Sequence, residues 1–206
     1  MSIWRNRISE HLTASADLQR RTAELAWQSI SDAAGLIVDC YRGANKILIC
    51  GNGGSAADAQ HMAAEFLNRL NADLDRPGLP AIALTTDTSF LTSYANDVNY
   101  DGVFERQVLT LGDAGDVLVA ITTSGNSKNV LKAVEAAKRK GMKTIGLTGQ
   151  GGALAGLVEC PVVVPSRDTQ NVQECFLSIE HVICELVELV LFGDEPDIRD
   201  ESHSRP

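Results

Sequence analysis

No apolar run in this sequence approaches the roughly 20 residues that a membrane-spanning helix needs. The opening MSIWRNRISEHL lacks the apolar core of a secretion signal, so the expected location is the cytoplasm. None of the five cysteines (Cys40, Cys50, Cys160, Cys175, Cys184) has C-x-x-C spacing, and all fall in apolar stretches. They read as buried thiols serving as small hydrophobes. Basic residues are few, 18 Lys and Arg against 27 Asp and Glu, giving a formal charge of −9. That deficit opposes broad binding to a nucleic-acid backbone. What remains is an ordinary chain of 206 residues, 44% hydrophobic and 22% charged. It is long enough for one complete core, and a single α/β domain with an extension fits better than two full domains.

One stretch organises the rest, KILICGNGGSAADAQHMAAEFLNR from Lys46 to Arg69. Ile47 to Cys50 is an apolar run of strand length, buried on both faces. Gly51-Asn52-Gly53-Gly54-Ser55 is a turn whose glycines allow positive φ and close backbone approach. From Ala56 the composition is helical, without Gly or Pro through Arg69. A strand, a Gly/Ser turn and a helix N-terminus make an anion site, because free N–H groups and the helix dipole converge there. One turn into the helix stand His61 and Glu65, spaced i, i+4 on one face.

Before this stretch, residues 5–42 carry apolar positions at helical spacing (Ile8, Leu12, Ala16, then Leu25, Ala26, Ile30, Ala33, Ile37) and read as one or two helices. Nothing between Thr13 and Arg21 marks a break. Such a face wants partners, on the main domain and on other subunits. After it, strands are expected at 81–84, 116–121, 143–147 and 161–164, alternating with helices at 90–95, 103–111 and 128–140, a short one near Leu154, and a long one at 170–191 capped by Asp168 or Thr169. The organisation is thus a helical extension over 1–42, an α/β domain over 43–192 and a mobile tail over 193–206. Alternating strands and helices predict a parallel, doubly wound sheet with ligands at the C-terminal strand ends.

Thr122-Thr123-Ser124-Gly125-Asn126-Ser127 repeats the opening pattern of strand, Gly/hydroxyl turn and helix. Either turn alone reads as a plain βα connection; two carrying hydroxyls favour a phosphate. His61 with Glu65 can bind a metal or serve as an acid/base pair, and the apolar neighbours Met62, Phe66 and Leu67 argue against a merely solvated pair. In the last helix Gln173 and His181 are i, i+8, and His181 among Ile179, Val182 and Ile183 reads by default as a core histidine. Asp87, Asp97 and Asp168 suit sugar hydroxyls and helix caps equally well. Cys50 has no positive neighbour to activate it.

Taken together, ICGNGGSAADAQHMAAEF, ALTTDTSFLTSYAND, ITTSGNSKNV and the QE-x6-H segment resemble the sugar-isomerase (SIS) family and, within it, the phosphoheptose isomerases, over residues 5–191. The resemblance implies a five-stranded parallel sheet between helices, a homotetramer built on the N-terminal helices, and conversion of sedoheptulose 7-phosphate to D-glycero-D-manno-heptose 7-phosphate on the way to ADP-heptose for lipopolysaccharide or other heptose-bearing glycans. It implies Ser55, Thr122, Ser124 and Ser127 around the phosphate, with Asn52, Gly53, Asp97 and Gln173 along the sugar and Thr86 and Asp87 close by. It makes Glu65 the base between C1 and C2 and His181 the partner of the sugar oxygens. His61, Glu65, Gln173 and His181 match the zinc ligands of metal-binding members. Two positions depart from the pattern, Thr122 where serine is common and Phe176 where many members have a second histidine. Two rival readings share the fold: a non-catalytic relative that binds the replication initiator, and a phosphosugar sensor. The presence of both Glu65 and His181 favours the enzyme.

Overall fold

The computed structural model describes residues 2–193, so the expected tail lies, beyond Gly193, outside the described residues. The elements in order are α1 (Ile3–Arg42), β1 (Ile47–Cys50), α2 (Gly54–Leu67), β2 (Ala81–Ala83), α3 (Thr88–Asp97), α4 (Val103–Leu111), β3 (Val117–Thr122), α5 (Lys128–Arg139), β4 (Lys143–Gly149), α6 (Leu154–Leu157), β5 (Cys160–Val164) and α7 (Thr169–Phe192). A 3₁₀ turn at Tyr100–Gly102 occupies the irregular stretch before α4.

The N-terminal region is one unbroken helix of 40 residues, capped by Ser2, whose side chain accepts from the Arg5 N–H. The run without Gly or Pro through Thr13–Arg21 lets the helical ladder continue. Its buried stripe passes through Ser15, Leu18, Thr22, Ala26, Ile30, Ala33 and Ile37, a 3.6-residue period. Ile8, Leu12 and Leu25, expected on that face, are instead exposed. Ile8 and Leu12 continue the angle of the buried stripe but precede Ser15, the first residue of α1 that the core covers.

All five strands are parallel, in the order β2-β1-β3-β4-β5. Strand alternation sorts the core into two layers. Ile47, Ile49, Val117, Val119 and Ile121 pack with the second half of α1, α2 and α7. Leu48, Cys50, Leu118 and Ala120 pack with α4, α5 and α6 on the other face. The expected start of β3 at Asp116 differs by one residue. Its buried carboxylate accepts from the Lys46 and Asp113 backbone N–H groups at 3.0 and 2.8 Å and lies 2.7 Å from Lys46 Nζ, so Asp116 ties down the entry to β1 and β3.

The consequence for function lies between β1 and β3. Chain order reverses there, and β1 and β3 are paired with Cys50 beside Ala120. The turns that leave their C-terminal ends, 51–53 and 123–127, therefore stand side by side at the switch point where open α/β sheets hold ligands.

Candidate active site

The two turns are built tightly. A Cβ at Gly51 would sit 2.5 Å from the Ser55 carbonyl oxygen, so only glycine lets the turn fold back onto the first turn of α2. Gly125 has φ +67°, and a Cβ there would lie 2.7 Å from the Gly151 carbonyl oxygen. The second turn gathers hydroxyls: Thr122 Oγ1 lies 2.9 Å from Ser127 Oγ and 3.3 Å from Ser124 Oγ. Ser55, in the first turn of α2, is buried. Hydroxyls and helix-start N–H groups at one sheet edge make a cradle whose donors suit a phosphate dianion.

Across the two turns, Asn52 and Asn129 exchange amide hydrogen bonds of 2.9 and 2.8 Å, and the Tyr100 hydroxyl donates to Asn52 Oδ1 at 3.0 Å. Asn129 and Tyr100 were not singled out in the sequence. Asn129 has only its place in the first turn of α5 as a signal, and Tyr100 lies in a polar stretch with none. Gly53, with φ +55°, caps α2.

Beside this cradle α2 and α7 bring the titratable groups together. His61 Nε2 and His181 Nε2 are 2.7 Å apart, with the rings edge to face. A Glu65 carboxylate oxygen stands 3.7 Å from the same His61 nitrogen. His181 is half-buried and turned toward α2, which replaces the default reading of a core histidine. Gln173 donates to Asp58 Oδ1 at 2.7 Å, and its side chain lies against Gly54. Asp58 was missed, although it falls three residues before His61, on the same face of α2. Phe176, at the departure from the family pattern, is fully buried and belongs to the core.

Burial raises the Asp58 carboxyl above the ordinary carboxylate range, against the pull of the Gln173 hydrogen bond and of His61. Glu180, on α7 beside His181, is completely buried, and neither carboxyl oxygen has a hydrogen-bond partner. Burial, and then the nearby Asp58, push it up to about 9, so it is a neutral acid at pH 7. Burial likewise pushes the Cys50 thiol up to about 12, which makes it inert.

Three expected sugar contacts are engaged otherwise. Asp87 caps α3 by accepting from the Phe90 N–H at 2.9 Å, Asp97 accepts from the Asn96 amide at 2.8 Å, and the Thr86 hydroxyl donates to the Ala83 carbonyl at 3.1 Å. All three are exposed. Asp168 caps α7 through the Gln170 and Asn171 N–H groups.

Among the described residues, no three His, Cys, Asp or Glu side chains form a ready metal cage. The donor chemistry nonetheless suits zinc, which takes imidazole and carboxylate ligands. Two imidazole nitrogens already meet, with a carboxylate next to them. Gln173 would have to turn from Asp58 to join them.

Comparison with known proteins agrees with this geometry. The SIS domain model matches residues 10–149. The phosphoheptose isomerase of Shewanella sp. (strain ANA-3) is 50% identical over 193 residues, 92% of this chain and 97% of its own length. The structure of the phosphoheptose isomerase from Neisseria gonorrhoeae superposes with a TM-score of 0.85 at 41% identity, covering 91% of this chain and all of that one. That from Francisella tularensis gives a TM-score of 0.86 at 38% identity, over 91% of this chain and 98% of its own. The chain belongs to the SIS-domain family, within its phosphoheptose isomerase branch.

Proposed function

We propose that the chain isomerises sedoheptulose 7-phosphate to D-glycero-D-manno-heptose 7-phosphate through an enediol. One observation carries the reading: a hydroxyl-lined phosphate cradle and a His–His–Glu constellation share one edge of the sheet. The phosphate is held by Ser55, Thr122, Ser124 and Ser127, so that binding energy at one end fixes the reacting carbons at the other. Asn52, Gly53 and Gln173 line the sugar. Thr86, Asp87 and Asp97 belong to the rim, where Asp87 already has its capping work to do.

Glu65 takes a proton from C1 of the ketose while O2 gains one, giving the enediol. O1 then loses its proton, and Glu65 returns one to C2, leaving the aldehyde. His181 serves the oxygens, and atoms and electrons balance without an oxidant. His61, Glu65, Gln173 and His181 would hold a zinc ion, one per subunit. Such a cation supplies Lewis-acid polarisation of the carbonyl. A carboxylate tied to a cation is a weaker base, so either Glu65 leaves the cation during turnover or the cation is structural.

We extend the reading to assembly and location. Trp4 and Trp27 are 77% and 62% exposed on α1, and Trp4 shares the face of Ile8 and Leu12. Apolar surface of that kind supports a homotetramer joined through α1. No helix among the described residues is long and apolar enough to cross a membrane, which agrees with a cytoplasmic enzyme feeding ADP-heptose synthesis.

The test is turnover of sedoheptulose 7-phosphate in deuterated water, with and without added Zn²⁺. Deuterium at C2 of the aldose is the expected result. Substrate binding without turnover would replace the enzyme with one of the non-catalytic readings.

A further inference from the structure

The loop from 68 to 80, between α2 and β2, is rich in Asn, Asp, Gly and Pro and would ordinarily run free over the surface. Here it buries an arginine. The Arg76 side chain is 0% exposed and its partner Glu188, on α7, is 2% exposed. Arg76 Nε donates to Glu188 Oε1 at 2.8 Å, and Nη2 lies 2.8 Å from the same oxygen. Nη1 donates to the Phe66 and Pro77 carbonyls at 2.9 and 3.0 Å, and Nη2 donates to the Glu65 carbonyl at 2.8 Å. Glu188 also accepts from the Leu70 and Asn71 N–H groups at 2.9 and 3.1 Å.

These bonds fall on the last turn of α2, whose carbonyls have no partner within the helix. The Ala64 carbonyl is taken by the Asn68 N–H, that of Phe66 also by the Leu79 N–H, and that of Glu65 by Arg76. At the other end of the ion pair, Glu188 lies two turns beyond His181 on the same side of α7. One buried guanidinium thus joins the backbone of Glu65 to the helix that presents His181.

We propose that Arg76, anchored by Glu188, is a positioning residue that fixes the direction of the Glu65 side chain relative to His61 and His181. The inference rests on the reading of Glu65 as the proton carrier. A lysine could keep the charge next to Glu188 but could not reach both carbonyls, since it lacks the planar fork of donors. Fixing the carbonyls therefore predicts a defect in the chemical step, whereas a simple ion-pair anchor predicts none.

The experiment compares Arg76→Lys, Arg76→Ala and Glu65→Gln with the parent enzyme by kcat, KM and thermal midpoint. Arg76→Lys should fold and bind with KM within about twofold while kcat falls about ten- to a hundredfold, the cost of a slightly misplaced catalytic group. Arg76→Ala should lose as much, and millimolar guanidinium should restore part of it. A parental kcat in Arg76→Lys overturns the proposal. So does a lysine variant that fails to fold, because the pair then serves the fold as a whole. A loss in Arg76→Ala that guanidinium leaves untouched counts against it. If Glu65→Gln itself keeps turning over, the underlying reading of Glu65 is what fails. If Glu65→Gln is dead and Arg76→Lys normal, only the present inference does.

Discussion

His61 and His181 face each other across α2 and α7 with their Nε2 atoms 2.7 Å apart. At that separation one imidazole donates and the other accepts. His181→Asn should therefore lose at least about a hundredfold in kcat, the scale of a lost acid/base group. Bound zinc, measured by elemental analysis, should fall well below one per subunit. Because the ring is half-buried, the thermal midpoint should hardly move.

Glu65→Gln keeps the shape of the side chain and removes its basicity. Substrate binding, read by calorimetry, should stay near that of the parent. Turnover should fall by at least about a hundredfold, with exchange of the C1 proton into solvent lost in parallel. Near-parental turnover would remove Glu65 from the reaction.

The hydroxyl cluster at the end of β3 should act on binding. Ser124→Ala deletes a group 3.3 Å from Thr122 Oγ1. A hydrogen bond to a charged group contributes about 1.5–3 kcal/mol, so KM should rise roughly tenfold or more with kcat changed less. The same variant should make no difference to binding of the sugar without its phosphate. Equal weakening for both ligands would place the phosphate elsewhere.

Glu180 sets a pH trend in stability. Its carboxyl moves from an ordinary 4.5 to about 9 on folding. Between those values the unfolded chain has released the proton that the native state still holds. Unfolding then releases a proton, and Glu180 makes stability fall as pH rises from about 4.5 to about 9. Glu180→Leu removes an unpartnered buried acid and should raise the thermal midpoint, with a larger gain at pH 8 than at pH 5. A variant less stable than the parent at pH 8 would show that the carboxyl has a partner.

Much of this was legible in the chain because parallel strands buried on both faces read as short apolar runs, and their hydroxyl-bearing turns follow directly. Residues whose chemistry suits two jobs were not separable: Asp87 caps a helix with the same carboxylate that could bind a hydroxyl. The apolar face of α1 was drawn too long because Ile8 and Leu12 share the spacing and the side of the buried stripe yet lie before Ser15, where the core begins to cover the helix. Arg76 and Glu188, separated by 112 residues, gave no local signal at all. Only the folded arrangement makes a polar loop residue the hub of α2 and α7.

The strand order also governs how the chain reaches this state. β1 is bonded to β2 and β3, and its pairing with β3 joins Ile47 to Val117 across 70 positions of sequence. Neither of the two hydroxyl-bearing turns can meet the other until the ribosome has released the chain past Ser127. Contacts that close loops of such length slow folding. A growing chain that stops short of β3 leaves Ile47 to Cys50 with one bare hydrogen-bonding edge, a template for pairing with another nascent chain.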